Sequence, residues 1–212
     1  MKQFILIFLC ITFSITAKPV TITFLGDSLT AGYQLKQSAA FPQQFENIVS
    51  SKNIRILNRG ISGDTTYSLL NRLEFSLQPT PDVVFLAIGA NDGLRGMPID
   101  SMKENIHLII KHCRSKQIDV ILAGITLPDN YSEDYISDFE STFNEIAKKE
   151  AIPFMPFLLK DVAAIPTLNL ADGIHPNELG HQIIAQNVTS FLKEEGLISS
   201  QNKWVTAANK VK

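Results

Sequence analysis

Apolar and polar positions along the chain follow two periods in turn. "VTITFL" (20–25) is rich in β-branched residues and reads as a strand, as does "IRILN" (54–58). "DVVFLAI" (82–88) and "DVILAGI" (119–125) are near-continuous apolar runs, the pattern of strands covered on both faces. "IPFM" (152–155) reads as a short last strand. Between the strands the period becomes helical. Phe41, Phe45, Ile48 and Val49 share one face of a helix over 38–52. Leu69, Leu70, Leu73 and Leu77 do so over 65–78, with Asp64 as the expected N-cap. Ile99, Met102, Ile106, Ile109, Ile110 and Cys113 line 99–115, and Tyr135, Phe139, Phe143, Ile146 and Ala147 line the next helix. The last helix is expected from Glu178 to Leu192.

Strand and helix alternating five times predicts an α/β fold: a five-stranded parallel sheet with helices on both faces, three layers in all. A length of 212 residues suits one domain. In such sheets ligands sit outside the carboxyl ends of the strands. Ser28, Gly63, Asn91 and the loop 126–132 each follow a predicted strand, so they are expected to converge on one edge. No internal repeat or low-complexity linker interrupts the pattern. Residues 196–212 form a polar tail with isolated Trp204 and Val205, which the sequence leaves either frayed or docked.

The first residues break the alternation. Met1-Lys2-Gln3 is followed by "FILIFLCITFSIT" and Ala17, an early positive charge and an apolar run ending at a small residue. That is the pattern of a secretory signal, and the run is too short for a comfortable membrane span. Cleavage is expected after Ala17, giving an exported, periplasmic or secreted, protein. Leu9 before Cys10 lacks the small size that lipid attachment requires. Loss of this segment leaves Cys113 as the remaining cysteine, so no intrachain disulfide can form. On its helix stripe Cys113 reads as a buried structural thiol. The formal net charge of −2 argues against a nucleic-acid partner.

Ser28 stands in "FLGDSLTAGY" (24–33), where a strand ends and a helix begins. A serine here is a natural helix cap. As a nucleophile it would need a base, an orienting group for that base, and donors for an oxyanion. "LADGIHPNELG" (170–180) offers two of these. On a turn, Asp172 can accept a hydrogen bond from one ring nitrogen of His175, leaving the other nitrogen to act as base. In "NRGISGDTT" (58–66) Gly63 can bring its backbone N–H close to a ligand, and in "AIGANDGLRG" (87–96) Asn91 can offer a side-chain N–H. His107, His112 and His181 lie on predicted helices, read as solvated or partly packed, and lack metal-ligand spacing. No metal and no cofactor is expected, and no phosphate-binding glycine motif follows a strand.

These four blocks, in this order at four strand ends, resemble the SGNH (GDSL) hydrolase family. Gly26-Asp27-Ser28-Leu29, Gly63 in "ISGDT", Asn91 in "GAND" and Asp172-Gly173-Ile174-His175-Pro176 look like its signature blocks over residues 20–192. "ISGDTT", "NDGLRG", "LPDNY" (127–131) and "DGIHPN" (172–177) look most like the bacterial periplasmic thioesterase/lysophospholipase/arylesterase subgroup. The resemblance implies a flavodoxin-like hydrolase domain over 18–195. It implies Ser28 as nucleophile, His175 as base and Asp172 as its orienting group. The implied oxyanion donors are the Ser28 and Gly63 N–H groups and the Asn91 side chain. The α/β-hydrolase elbow G-x-S-x-G is absent, because Thr30 stands at its last glycine.

In the resembling subgroup, the loop matching 126–132 folds over an acyl chain. The segment "IPFMPFLLKDV" (152–162) is strongly apolar, and either lines such a groove or caps the core. Leu127, Pro128, Tyr131 and Phe157 are therefore the expected substrate-binding residues. The implied substrates are acyl esters and thioesters, including lysophospholipids, hydrolysed by a monomer with no stable membrane insertion. A carbohydrate O-acetylesterase and a catalytically inactive binding protein are the alternatives on the same fold.

Overall fold

The computed structural model describes residues 18–205. The expected signal segment, its cleavage site and residues 206–212 lie outside the described residues. Five parallel strands form one sheet: β1 (Val20–Gly26), β2 (Ile54–Gly60), β3 (Val83–Ala87), β4 (Asp119–Ala123) and β5 (Phe154–Met155). Their order is β2-β1-β3-β4-β5, the flavodoxin-like order that reverses direction between β1 and β3. All of β3 is buried, as its unbroken apolar run requires.

The longer helices are α2 (Phe41–Val49), α3 (Thr66–Ser76), α5 (Ile99–Ser115), α6 (Glu133–Glu150) and α7 (Glu178–Glu194). α2 packs on α7, while α3 packs on α5 and α5 on α6. Phe24 and Phe85 from β1 and β3 meet Phe41 and Phe45 of α2, with Phe24 and Phe85 ring centroids 5.0 Å apart. His181 of α7 stacks on Phe41 and accepts the Phe41 N–H at Nδ1, 3.1 Å away. It is 1% exposed, a core residue rather than a solvated one. Burial pushes its pKa down to about 4, so the ring is a neutral acceptor.

Several predicted boundaries move. The helix expected over 38–52 is shorter, because 37–39 forms a separate 3₁₀ turn and Ser50 ends α2 in the left-handed region. The last strand shrinks to Phe154–Met155, two residues beginning just after Pro153. Thr65, not Asp64, caps α3 by accepting the Ser68 N–H. Two short helices, α1 (Ser28–Ala31) and α4 (Ala90–Leu94), occupy the turns after β1 and β3. Residues 196–205 fold back beyond α7: Ile198 is buried, it bridges to Trp204, and the Val205 N–H bonds to the Leu197 carbonyl. Cys113 is buried in the core, which pushes its thiol up to about 12 and leaves it unreactive.

Register is what serves function. Gly26 of β1 lies opposite Gly60 of β2 and Ala87 of β3, so three strands end on one line. The loops that leave this line carry Ser28, Gly63 and Asn91. A side chain at Gly26 would collide with Thr30 Oγ1 and the Ala87 carbonyl, so only glycine allows the chain to turn this tightly.

Candidate active site

Ser28 is the first residue of α1, and Asp27 caps that helix by accepting the Leu29 N–H at 3.0 Å. The capping role expected of Ser28 therefore belongs to its neighbour, and the Ser28 hydroxyl is released for another partner. That partner is His175: Ser28 Oγ and His175 Nε2 are 3.0 Å apart across 147 positions of sequence. On the far side of the ring, His175 Nδ1 lies 2.8 Å from Asp172 Oδ2. The other carboxylate oxygen of Asp172 accepts two backbone N–H groups, from Ile174 at 3.1 Å and His175 at 3.0 Å. Desolvation would raise the Asp172 pKa, but the hydrogen bonds from the His175 backbone and ring and from Ile174 outweigh it and hold the carboxyl below its ordinary value. Asp172 is thus a carboxylate whose two oxygens have different, fixed tasks.

The loop holding this pair is braced at both ends. The Asn169 amide donates to the carbonyls of Val162 and Ile165. Asn177 caps α7 through the Leu179 and Gly180 N–H groups and donates to Thr167. Leu170 N–H bonds to the His175 carbonyl at 2.7 Å, closing the turn. Tyr33 lies against the His175 ring, centroids 4.3 Å apart at 32°. Nothing in the sequence near Tyr33 signals this contact, because its partner is 142 positions away.

Gly63 and Asn91 come from the ends of β2 and β3. Gly63 has φ +85°, a left-handed conformation that favours glycine. Asn91 donates from Nδ2 to the Asp64 carbonyl at 3.0 Å, using one of its two amide hydrogens. Arg95 Nη2 donates to both the Gly63 carbonyl at 3.0 Å and Asn91 Oδ1 at 3.3 Å. Asp92 joins the same loops from below: it accepts the Thr66 N–H at 2.9 Å and the Thr66 hydroxyl at 2.6 Å. Asp64 pairs with Arg72 at 2.6 Å, and Arg72 also donates to the carbonyls of Gly26 and Arg59. The three strand ends are thereby cross-linked. The sequence gives no sign of the roles of Arg72, Asp92 and Arg95, because each acts through partners from another segment. Asp27, whose partner Leu29 lies in its own block, has a local signal, an acidic side chain directly before a helical start.

The residues expected to hold substrate separate. Leu127 is 5% exposed and belongs to the core, where its side chain fills space beside Gly93 and Phe139. Pro128 is exposed, and Tyr131 is half-buried with its hydroxyl donating to the Leu94 carbonyl at 2.8 Å. In 152–162, Met155, Leu158, Leu159 and Val162 are buried and Phe157 is half-buried, so the segment mainly caps the core. Among the described residues no cluster of His, Cys, Asp or Glu could hold a metal ion, and no helix is long and apolar enough to cross a membrane.

Asp27 itself is 1% exposed. Burial raises its carboxyl to about 7, offset by the Leu29 N–H and reinforced by the nearby charges of Asp64 and Asp92. The folded state then holds a proton that the unfolded chain releases, so this group loses stabilising effect as pH rises from about 4 through about 7. Asp27→Asn keeps a capping oxygen and cannot ionise. Urea unfolding should show it gaining on the parent between pH 4 and pH 8, by up to about 4 kcal/mol. His181 is present in both proteins and drops out of the difference. A constant difference across this range would show that Asp27 is not held protonated.

Residues 24–183 match the family model described as the GDSL-like lipase/acylhydrolase family. The chain belongs to that family. It is accordingly a hydrolase. An arylesterase of Vibrio mimicus is 32% identical over 191 residues, covering 89% of this chain and 95% of that protein. The Escherichia coli (strain K12) protein named thioesterase 1/protease 1/lysophospholipase L1 is 36% identical over 166 residues, covering 78% of this chain and 79% of that one. Among solved structures, the esterase EstA from Pseudoalteromonas sp., in a form inhibited by monoethylphosphonate, superposes with TM-score 0.78 at 31% identity. That match covers 82% of the hydrolase and 97% of EstA.

Proposed function

We propose that this hydrolase cleaves carboxylic esters and thioesters of acyl chains, lysophospholipids among them, by way of a covalent acyl-enzyme. The observation that carries the reading is the line of contacts from Asp172 Oδ2 through His175 to Ser28 Oγ, at 2.8 and 3.0 Å. His175 Nε2 takes the Ser28 hydroxyl proton as Oγ bonds to the substrate carbonyl carbon. The negative charge that forms on the carbonyl oxygen is met by the Ser28 and Gly63 N–H groups and the Asn91 amide. As first residue of its helix, Ser28 has no acceptor for its N–H within the helix, so this donor is free to serve. His175 then gives its proton to the departing alcohol or thiol, leaving the acyl group on Ser28. Water, deprotonated by the same ring, bonds to the acyl carbon, and the ring returns that proton to Ser28 Oγ as the acyl–Oγ bond breaks and the acid leaves. Asp172 keeps the imidazole in the tautomer whose Nε2 lone pair faces Ser28.

An acyl substrate is supported by the names of the relatives, an arylesterase and a thioesterase/lysophospholipase. Pro128, Tyr131 and Phe157, exposed or half-buried, are the proposed acyl contacts. The apolar leader at residues 1–17 supports export to the periplasm or beyond.

Two measurements test this reading. A fluorophosphonate probe should label the parent protein and fail to label Ser28→Ala. Across p-nitrophenyl esters from acetyl to octanoyl, kcat/KM should climb by up to about fourfold per methylene, the equivalent of roughly 0.8 kcal/mol, until the apolar contact is filled. A preference for acetyl over octanoyl would replace this reading with that of an O-acetylesterase.

A further inference from the structure

The two oxyanion donors outside Ser28 sit on different loops, and Arg95 spans them with a single nitrogen. Arg95 Nη2 reaches the Gly63 carbonyl at 3.0 Å and Asn91 Oδ1 at 3.3 Å. The Asn91 amide therefore meets partners of opposite kind at its two ends, a guanidinium at Oδ1 and the Asp64 carbonyl at Nδ2. Turned over, it would set oxygen against oxygen and N–H against N–H. With Arg95 absent, half of that penalty disappears. Beside Gly63, the nearest atom to a Cβ built there is Arg95 Nη2, at 3.7 Å, while the Asp64 N–H closes the same turn onto the Ile61 carbonyl at 3.1 Å. Arg95 is exposed, and it takes part in none of the ion pairs among the described residues. Its charge is thus not spent on a structural carboxylate.

We propose that Arg95 is a positioning residue of the oxyanion hole, holding the Asn91 amide unflipped without touching substrate. The proposal rests on the role given above to Asn91. Contacts realised in the transition state appear in kcat rather than in KM. Arg95→Ala should therefore lower kcat roughly tenfold with KM within about twofold of the parent. Arg95→Lys, which retains charge and donors, should recover part of the loss.

The deciding measurement is a double-mutant cycle. Asn91→Ala alone should cost about 10²-fold in kcat. Adding Arg95→Ala to it should cost less than about threefold more, because the amide that Arg95 holds is gone. Urea midpoints of all variants check that each is folded. An equal Arg95→Ala loss in both backgrounds would overturn the proposal, as would a rise in KM at constant kcat, the mark of a substrate-binding arginine. If Asn91→Ala leaves kcat intact, the oxyanion assignment itself fails and the role of Arg95 goes with it. If Asn91→Ala is damaging and Arg95→Ala is harmless, only the Arg95 proposal fails.

Discussion

Ser28→Ala is expected to lose at least about 10⁴-fold in kcat/KM toward p-nitrophenyl butyrate while unfolding at nearly the parent urea concentration. The size of the loss follows from the chemistry. Removing the nucleophile of a serine hydrolase removes the acyl-enzyme route altogether, and losses up to about 10⁶-fold are known for such sites. The proposed oxyanion donors and the bound geometry remain and leave a residual rate. The small effect on stability follows from the local structure. Asp27 caps α1, and Ser28 occupies the first helical position. Alanine at that position removes no cap and is a good helix former, so the change in stability should stay below about 1 kcal/mol. The His175 ring keeps Asp172 on one side and Tyr33 against its face. Activity within tenfold of the parent would remove Ser28 from the mechanism. A large drop in the urea midpoint would mean that the hydroxyl is structural.

The layout of the fold was legible because each strand of the sheet has its own local signature. The apolar runs 82–88 and 119–125 became β3 and β4, and the stripe from Ile99 to Cys113 became α5 with the expected ends. Local signals also marked the four loops that carry Ser28, Gly63, Asn91 and the Asp172–His175 pair, since glycine and asparagine at strand ends are cheap to notice. What escaped was long-range. Asp64 reads as a cap because it precedes a helix, but Arg72 draws its carboxylate away and Thr65 takes the position. His181 carries a polar ring on a helix, and the sequence gives no sign that Phe41 presents an N–H to it inside the core. Leu127 follows a strand at the rim, yet the missing side chain of Gly93 leaves a space that draws it inward. In each case the deciding partner lies on another element, and periodicity along one element carries no information about it.

Asp172→Asn tests the assignment of the two carboxylate oxygens, and a loss of about 10³- to 10⁴-fold in kcat is expected, comparable to the same change in protease triads. Asp172 Oδ1 accepts the Ile174 and His175 N–H groups, so this corner of the side chain faces two donors. An asparagine must keep its oxygen there, because an NH₂ group would face both donors. Its Nδ2 is then forced toward His175 Nδ1, where the carboxylate had accepted. Two donors cannot share that contact, so the imidazole moves its proton to Nε2 and presents N–H to Ser28 Oγ. In that tautomer the ring cannot take the serine proton, although every heavy atom stays in place. The loss should therefore fall on kcat with KM nearly unchanged, and the backbone turn should survive with the parent's urea midpoint. Asp172→Ala provides the contrast: it also removes the acceptor for two backbone N–H groups, and should lower the urea midpoint as well as the rate. Nitrogen-15 NMR of the His175 ring would report the tautomer directly. Parent-like kcat in Asp172→Asn, or an unchanged Nδ1–H tautomer, would show that the 2.8 Å contact does not orient the base.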